Sequence, residues 1–196
     1  MGLRWWRVVA LGVVLGASAS LAGPAESGQG QGAAEVAAKG MEAVRTADWA
    51  GFTRLMHPEA LAAAKKMFEP IVVADTTAEM RRAFFGVETV EQFAALSDAQ
   101  AFEALMSNLT KNIPSFADAL AGARFETIGV LPEGSELAHV VYRGDVQAEG
   151  IAVSKTAVVT LRRHCGEWRM LLSGNIEGLA ARLAQMSAAA AKPPAP

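Results

Sequence analysis

The chain has 196 residues, with 18 basic and 20 acidic side chains and a formal charge of −2. Hydrophobic residues make up 52% of it, which excludes a disordered tail protein, and the near-balanced charge offers no electrostatic footprint for nucleic acid. One cysteine excludes an internal disulfide, and three scattered histidines (His57, His139, His164) give no metal-ligand spacing, so the residues call for no cofactor.

The first segment reads as a targeting signal. Met1 to Arg7 carries two positive charges and no acid, Val8 to Leu15 is continuously apolar, and small residues follow to Ala22. This is the order of a secretory signal peptide, and the apolar run falls short of the about 20 residues that span a bilayer. Small-x-small cleavage sites lie after Ala19 and after Ala22, and the second is preferred, giving a signal over residues 1–22. Ser20-Leu-Ala-Gly23 resembles a lipoprotein signal, but Pro24 stands where the lipid-bearing cysteine would be. The expectation is an exported protein, periplasmic or extracellular, with neither a lipid anchor nor a stable membrane anchor.

Residues 23–32 are small, polar and glycine-rich, the composition of a flexible leader. A folded domain is expected over 33–186, and the run SAAAAKPPAP over 187–196 reads as a disordered tail. The domain changes texture near residue 123. Before it, Val36, Met41 and Val44 predict a helix over 33–46. Asp48 is placed to cap a short helix carrying Trp49, Phe52, Leu55 and Met56, and His57-Pro58 ends it and starts another. In that next helix Leu61, Ala64 and Phe68 recur at helical spacing, with Pro70 as the expected stop. Thr77 precedes a helix that Gly86 ends, and Thr89-x-x-Gln92 and Ser97-x-x-Gln100 are capping boxes. Ser115-x-x-Asp118 opens a last turn before Gly122.

After residue 123 the pattern alternates. Strands are predicted over 125–131 and 137–143 around the turn signal Pro132-Glu-Gly-Ser135, with Gly144-Asp145 breaking or bulging the second. A long strand over 151–163, a reversal at His164-Cys165-Gly166 and a strand over 167–172 follow. In the last, Trp168, Met170 and Leu172 share one face. A closing helix is expected over 176–186. Helices followed by an antiparallel meander define an α+β fold, with N-terminal helices packed on a curved antiparallel sheet and a C-terminal helix.

The run A-D-W-x-x-F-x-x-L-M-H-P-E-A-L (Ala47 to Leu61), with Val140-Val-Tyr-Arg, Ala157-Val-Val-Thr-Leu-Arg and Glu167-Trp-Arg-Met-Leu, resembles the nuclear transport factor 2-like superfamily, in particular its SnoaL-like members. The resemblance covers about residues 33–183. It implies a cone of helices over a curved sheet with an apolar cavity between, and a homodimer through the sheet face. Members include isomerases, dehydratases, hydrolases, ligand carriers and protein-binding domains, so activity must be argued from the site.

An acid or base is sought first. Asp48 reads as an N-cap and His57 as an N-cap or loop residue, while Tyr142 could line the cavity and offer its hydroxyl; these three are the only catalytic candidates, and none forms a constellation. Arg162, Arg163, His164 and Arg169, with Lys155, are expected near one hairpin as a solvated edge. Cys165 in the turn reads as an inert exposed thiol. Phe52, Met56, Phe68, Phe84, Tyr142, Trp168 and Met170 are the ligand-binding candidates, a set that fits a walled cavity or a filled core alike. The reading is therefore an exported non-enzymatic domain binding a small apolar or amphipathic molecule or a protein partner. A cofactor-free isomerase, dehydratase or hydrolase is the alternative. A periplasmic lipid carrier of the toluene-tolerance type, resembled in the closing strand and Ile176-Glu-Gly-Leu-Ala180, is another.

Overall fold

Local capping chemistry sets most of the helix starts. The computed structural model describes residues 29–148, 151–173 and 178. The expected signal peptide, the first part of the leader, the closing helix apart from Gly178, and the tail lie outside them. Seven helices are described: α1 (Gln29–Arg45), α2 (Trp49–Leu55), α3 (Pro58–Ala74), α4 (Glu79–Phe85), α5 (Val90–Ala95), α6 (Asp98–Asn112) and α7 (Pro114–Ala121). Asp48 caps α2 by accepting the Gly51 N–H at 2.8 Å. Both capping boxes close: Thr89 with Gln92 opens α5, and Ser97 with Gln100 opens α6. Each satisfies two backbone donors that the helix leaves orphaned.

Four starts or stops differ from the sequence expectation. α1 begins at Gln29, inside the segment expected as leader, and Gly32 rests against the Trp168 indole, where a Cβ would lie 3.2 Å from its Cδ1. Packing there outweighs the low helix propensity of glycine. Pro70 does not stop α3 but sits inside it. Its ring removes the N–H that would bond the Lys66 carbonyl, yet both residues are exposed, so water can satisfy that oxygen while Ile71 and Val72 bury the next turn. Thr77 does not cap α4; the buried Asp75 accepts the Arg81 N–H at 2.8 Å instead, with Ala78 held at φ 60° between them. α7 starts at Pro114 rather than through Ser115, because proline is already set for the first helical position.

The strands are β1 (Arg124–Glu133), β2 (Leu137–Ala148), β3 (Ile151–His164) and β4 (Glu167–Met170). They form one antiparallel sheet in the order β1-β2-β3-β4. The fold is α+β, with the helices ahead of an antiparallel meander. Gly144 neither breaks nor bulges β2, which pairs with β3 continuously from Leu137 to Ala148. The irregularity falls on β1 instead, between Thr127 and Gly129, where a bulge bends and twists the strand. Pro132 lies within β1, an edge strand, where its missing N–H costs no ladder bond. The β3–β4 reversal puts Cys165 at φ 51° and Gly166 at φ 82°, the two left-handed positions of a tight hairpin.

Ala138, Val140 and Leu161 are fully buried and give the sheet its inner face. α1 packs across β1 and β4, while α6 joins α2, α3 and α4. A second apolar centre lies among the helices, where Phe85 contacts Phe68 at 5.8 Å and Phe93 at 4.8 Å between ring centroids. The buried Arg81 ties this part together by donating to the Val72 carbonyl at 2.9 Å and the Glu88 carbonyl at 3.2 Å.

Candidate functional site

The pairing register decides which side chains look inward. Alternate residues of a strand share a face, so Val140, Tyr142, Gly144 and Val146 face the same way as their partners Val159, Ala157, Lys155 and Val153. β4 pairs only with Leu161 to His164. The inner face of the rest of β3 is left under the helices, and a cavity of about 310 Å³ opens there. Its size falls at the low end of the about 300–1,000 Å³ of small-molecule sites.

Helices α1, α2, α6 and α7 close the other walls with Met41, Val44, Phe52, Phe102 and Phe116 among others. Gly40 permits the closest approach: a Cβ there would lie 2.7 Å from the Met170 sulfur. On the sheet side, Phe125 meets Tyr142 edge to face at 6.0 Å, and the buried Gly144 leaves room for both rings. A Cβ at Gly144 would stand 3.4 Å from the Phe125 ring. The lining is mostly apolar; Lys155 is its one charged side chain among the described residues. Trp49 also lines it, but its indole N–H is committed to the Thr110 hydroxyl at 3.1 Å. Burial raises the Tyr142 pKa above the usual phenol value, so the hydroxyl stays protonated at neutral pH.

No protein-family model matches the chain, and no curated protein does. The fold is similar to one solved structure. It is a crystal structure of an NTF-2-like protein of unknown function from Shewanella oneidensis MR-1, at 10% identity and a TM-score of 0.38, covering 71% of this chain and 91% of that one.

The sequence-derived candidates divide. Phe52, Met56, Tyr142 and Met170 stand together in the cavity wall. Phe68 and Phe84 are buried in the helical layer, and Trp168 is buried beneath Arg163, whose guanidinium lies 4.6 Å from the indole centroid. Asp48 is an exposed cap. His57 is buried at the start of α3, its Nδ1 accepting the Glu59 backbone N–H at 3.2 Å and its backbone N–H donating to the Met170 carbonyl at 2.8 Å. Neither opens into the cavity lining.

Lys155 moves furthest from expectation. It does not join the arginines at the hairpin; the register sets it opposite Gly144, in the cavity wall. The hairpin charges find local partners instead: Arg162 pairs with Glu59 at 3.1 Å, and Arg169 donates to Glu167 and to the Arg54 carbonyl. The alternation of β3 was the signal that could have located Lys155, since it shares parity with Val153, Ala157 and Val159.

The His57 cap carries a pH consequence. Its pKa is lowered chiefly by burial, opposed by Glu59 and assisted by the positive charges of Arg162 and Arg169 and by the His164 ring, which packs 5.0 Å away. An unfolded chain therefore takes this proton first as pH falls. Stability is intact above the ordinary histidine value of about 6.5 and declines as pH drops through it toward the lower folded value. Protonation of Nδ1 would also remove the acceptor that caps α3. The urea midpoint should fall between about pH 7.5 and 5.5, and His57→Asn, which keeps an N-cap acceptor, should flatten that fall. An undiminished slope in the variant contradicts this assignment.

Proposed function

We propose that this chain is an exported, non-enzymatic binding domain that holds a small apolar or amphipathic molecule between its helices and the inner face of its sheet. One observation carries the reading: an apolar cavity of about 310 Å³ into which, among the described residues, no carboxylate or imidazole opens. Proton-transfer sites are most often built on such a group within hydrogen-bond reach of the reacting atom. Beside the neutral hydroxyl of Tyr142 the described lining holds the amine of Lys155 and no carboxylate or imidazole. Apolar walls with a few polar groups suit retention of a ligand by burial, at roughly 25 cal/mol per Å² of apolar surface removed from water.

Export belongs to the same proposal and is supported by the charge, apolar run and small residues of positions 1–22. Exposed Ile128, Leu131 and Val158 offer an apolar seat on the sheet for a second copy, which the family resemblance favours. Mild organic extraction of the folded protein tests the binding claim. It should release an apolar molecule and leave protein that takes up the uncharged fluorophore pyrene. Protein that yields nothing and excludes pyrene overturns the reading.

A further inference from the structure

We propose that the molecule held in the cavity is a singly charged anionic amphipath, an apolar body ending in a carboxylate that pairs with Lys155 and accepts a hydrogen bond from Tyr142. This rests on the binding function proposed above and names its ligand class.

The placement of Lys155 is the first support. It stands on the inner face of β3 directly across from Gly144, over which the Phe125 and Tyr142 rings pack, so the Lys155 side chain borders the aromatic part of the wall. Tyr142 pairs with Ala157 and is therefore the diagonal neighbour of Lys155 on the same face, at a separation that long side chains bridge. The ammonium and the phenol hydroxyl thus share one stretch of wall. Neither has a hydrogen-bond or ion-pair partner among the described residues, whereas most other cations near the sheet do: Arg143 pairs with Glu126, Arg162 with Glu59 and Arg169 with Glu167.

Charge balance limits the head group to one negative charge. Lys155 is the one charged residue of the described lining. A single ammonium neutralises a single negative charge, while a doubly charged phosphate would leave its second charge against apolar walls, where unpaired charge is expensive. A protonated Tyr142 adds a donor, and hydrogen bonds to an ionised acceptor are the strong kind. Desolvation already lowers the Lys155 pKa, and a carboxylate beside it would return the charged form to favour. The remaining walls, from Phe52, Phe102, Phe116 and Met170, accept the apolar body.

The test compares decanoic acid with decanol, which share a chain and differ in the head group, by displacement of pyrene at about pH 7.5. Wild-type protein should prefer the acid by about tenfold, equivalent to about 1.4 kcal/mol. Lys155→Met should bring the acid-to-alcohol ratio to about one, and Lys155→Arg should keep it. Circular dichroism checks that each variant is folded, and Lys155→Gln replaces a Met variant that is not. Pyrene binding without a preference for the acid, or a preference that survives Lys155→Met, overturns this inference and leaves the binding function standing. Exclusion of pyrene and both decyl compounds overturns the binding function and this inference with it.

Discussion

Phe93→Ala is expected to lower the unfolding free energy by about 3–5 kcal/mol, the range for truncating a buried phenylalanine. Phe93 is 1% exposed and is the buried residue of the six-residue α5. Its ring meets Phe85 edge to face at 4.8 Å, and the Lys65 ammonium lies 5.8 Å from its centroid. A helix this short has little stability of its own. It is held by its capping box, by the Lys65 ammonium donating to the Ala94 carbonyl at 3.0 Å, by the partly buried Val90 and by Phe93 as its one buried side chain, so truncation removes the main anchor as well as leaving a void. Against the about 5–15 kcal/mol that holds a typical domain together, the loss is a large share. The urea midpoint should drop, while Phe93→Leu, which retains most of the volume, should cost less than about 1.5 kcal/mol. Similar midpoints for the two variants would mean that the aromatic cluster does not organise the helical layer. Phe93 lies outside the cavity lining, so the folded fraction of either variant should still take up pyrene.

Ala157→Trp is expected to weaken pyrene binding by about tenfold or more with little change in the urea midpoint. Ala157 faces inward opposite Tyr142, in the wall of the cavity. It is half-buried rather than part of the sealed core, so a larger side chain can grow into the empty space without displacing packed neighbours. The indole would fill the volume that the ligand needs. A drop of tenfold corresponds to about 1.4 kcal/mol, less than the transfer free energy of about 1.5–3 kcal/mol for burying one large apolar side chain. Binding unchanged by the substitution would place the ligand elsewhere. A variant that unfolds points to overpacking, and Ala119→Leu on the α7 side of the same cavity then serves instead.

These two sites also mark what could be read before the structure. Features set by a few adjacent residues were legible: the capping boxes at Thr89 and Ser97, the Asp48 cap, Pro58 at the first turn of α3, and the reversal at Cys165-Gly166. Their physics is local, since each cap or turn satisfies backbone groups within the same few positions. Pro70 misled because its cost depends on whether water reaches one carbonyl, a tertiary fact. Gly144 misled because its value lies in the approach of Phe125 from another strand rather than in a turn.

The site was half legible for the same reason. Periodicity finds apolar faces, but it cannot say which apolar residues look into a void and which fill one. Phe68 and Phe84 satisfy the same helical spacing as Phe52, yet they pack within the helical layer while Phe52 borders the cavity. Lys155 required the register of β2 against β3, which only the paired strands supply.

Native mass spectrometry of the folded protein, recorded before and after organic extraction, reads the occupancy of the cavity itself. The expected species is heavier than the polypeptide by one small molecule, reduced to the bare chain by extraction and diminished in Ala157→Trp. Bare chain alone, together with no uptake of pyrene or decanoic acid afterwards, would contradict it.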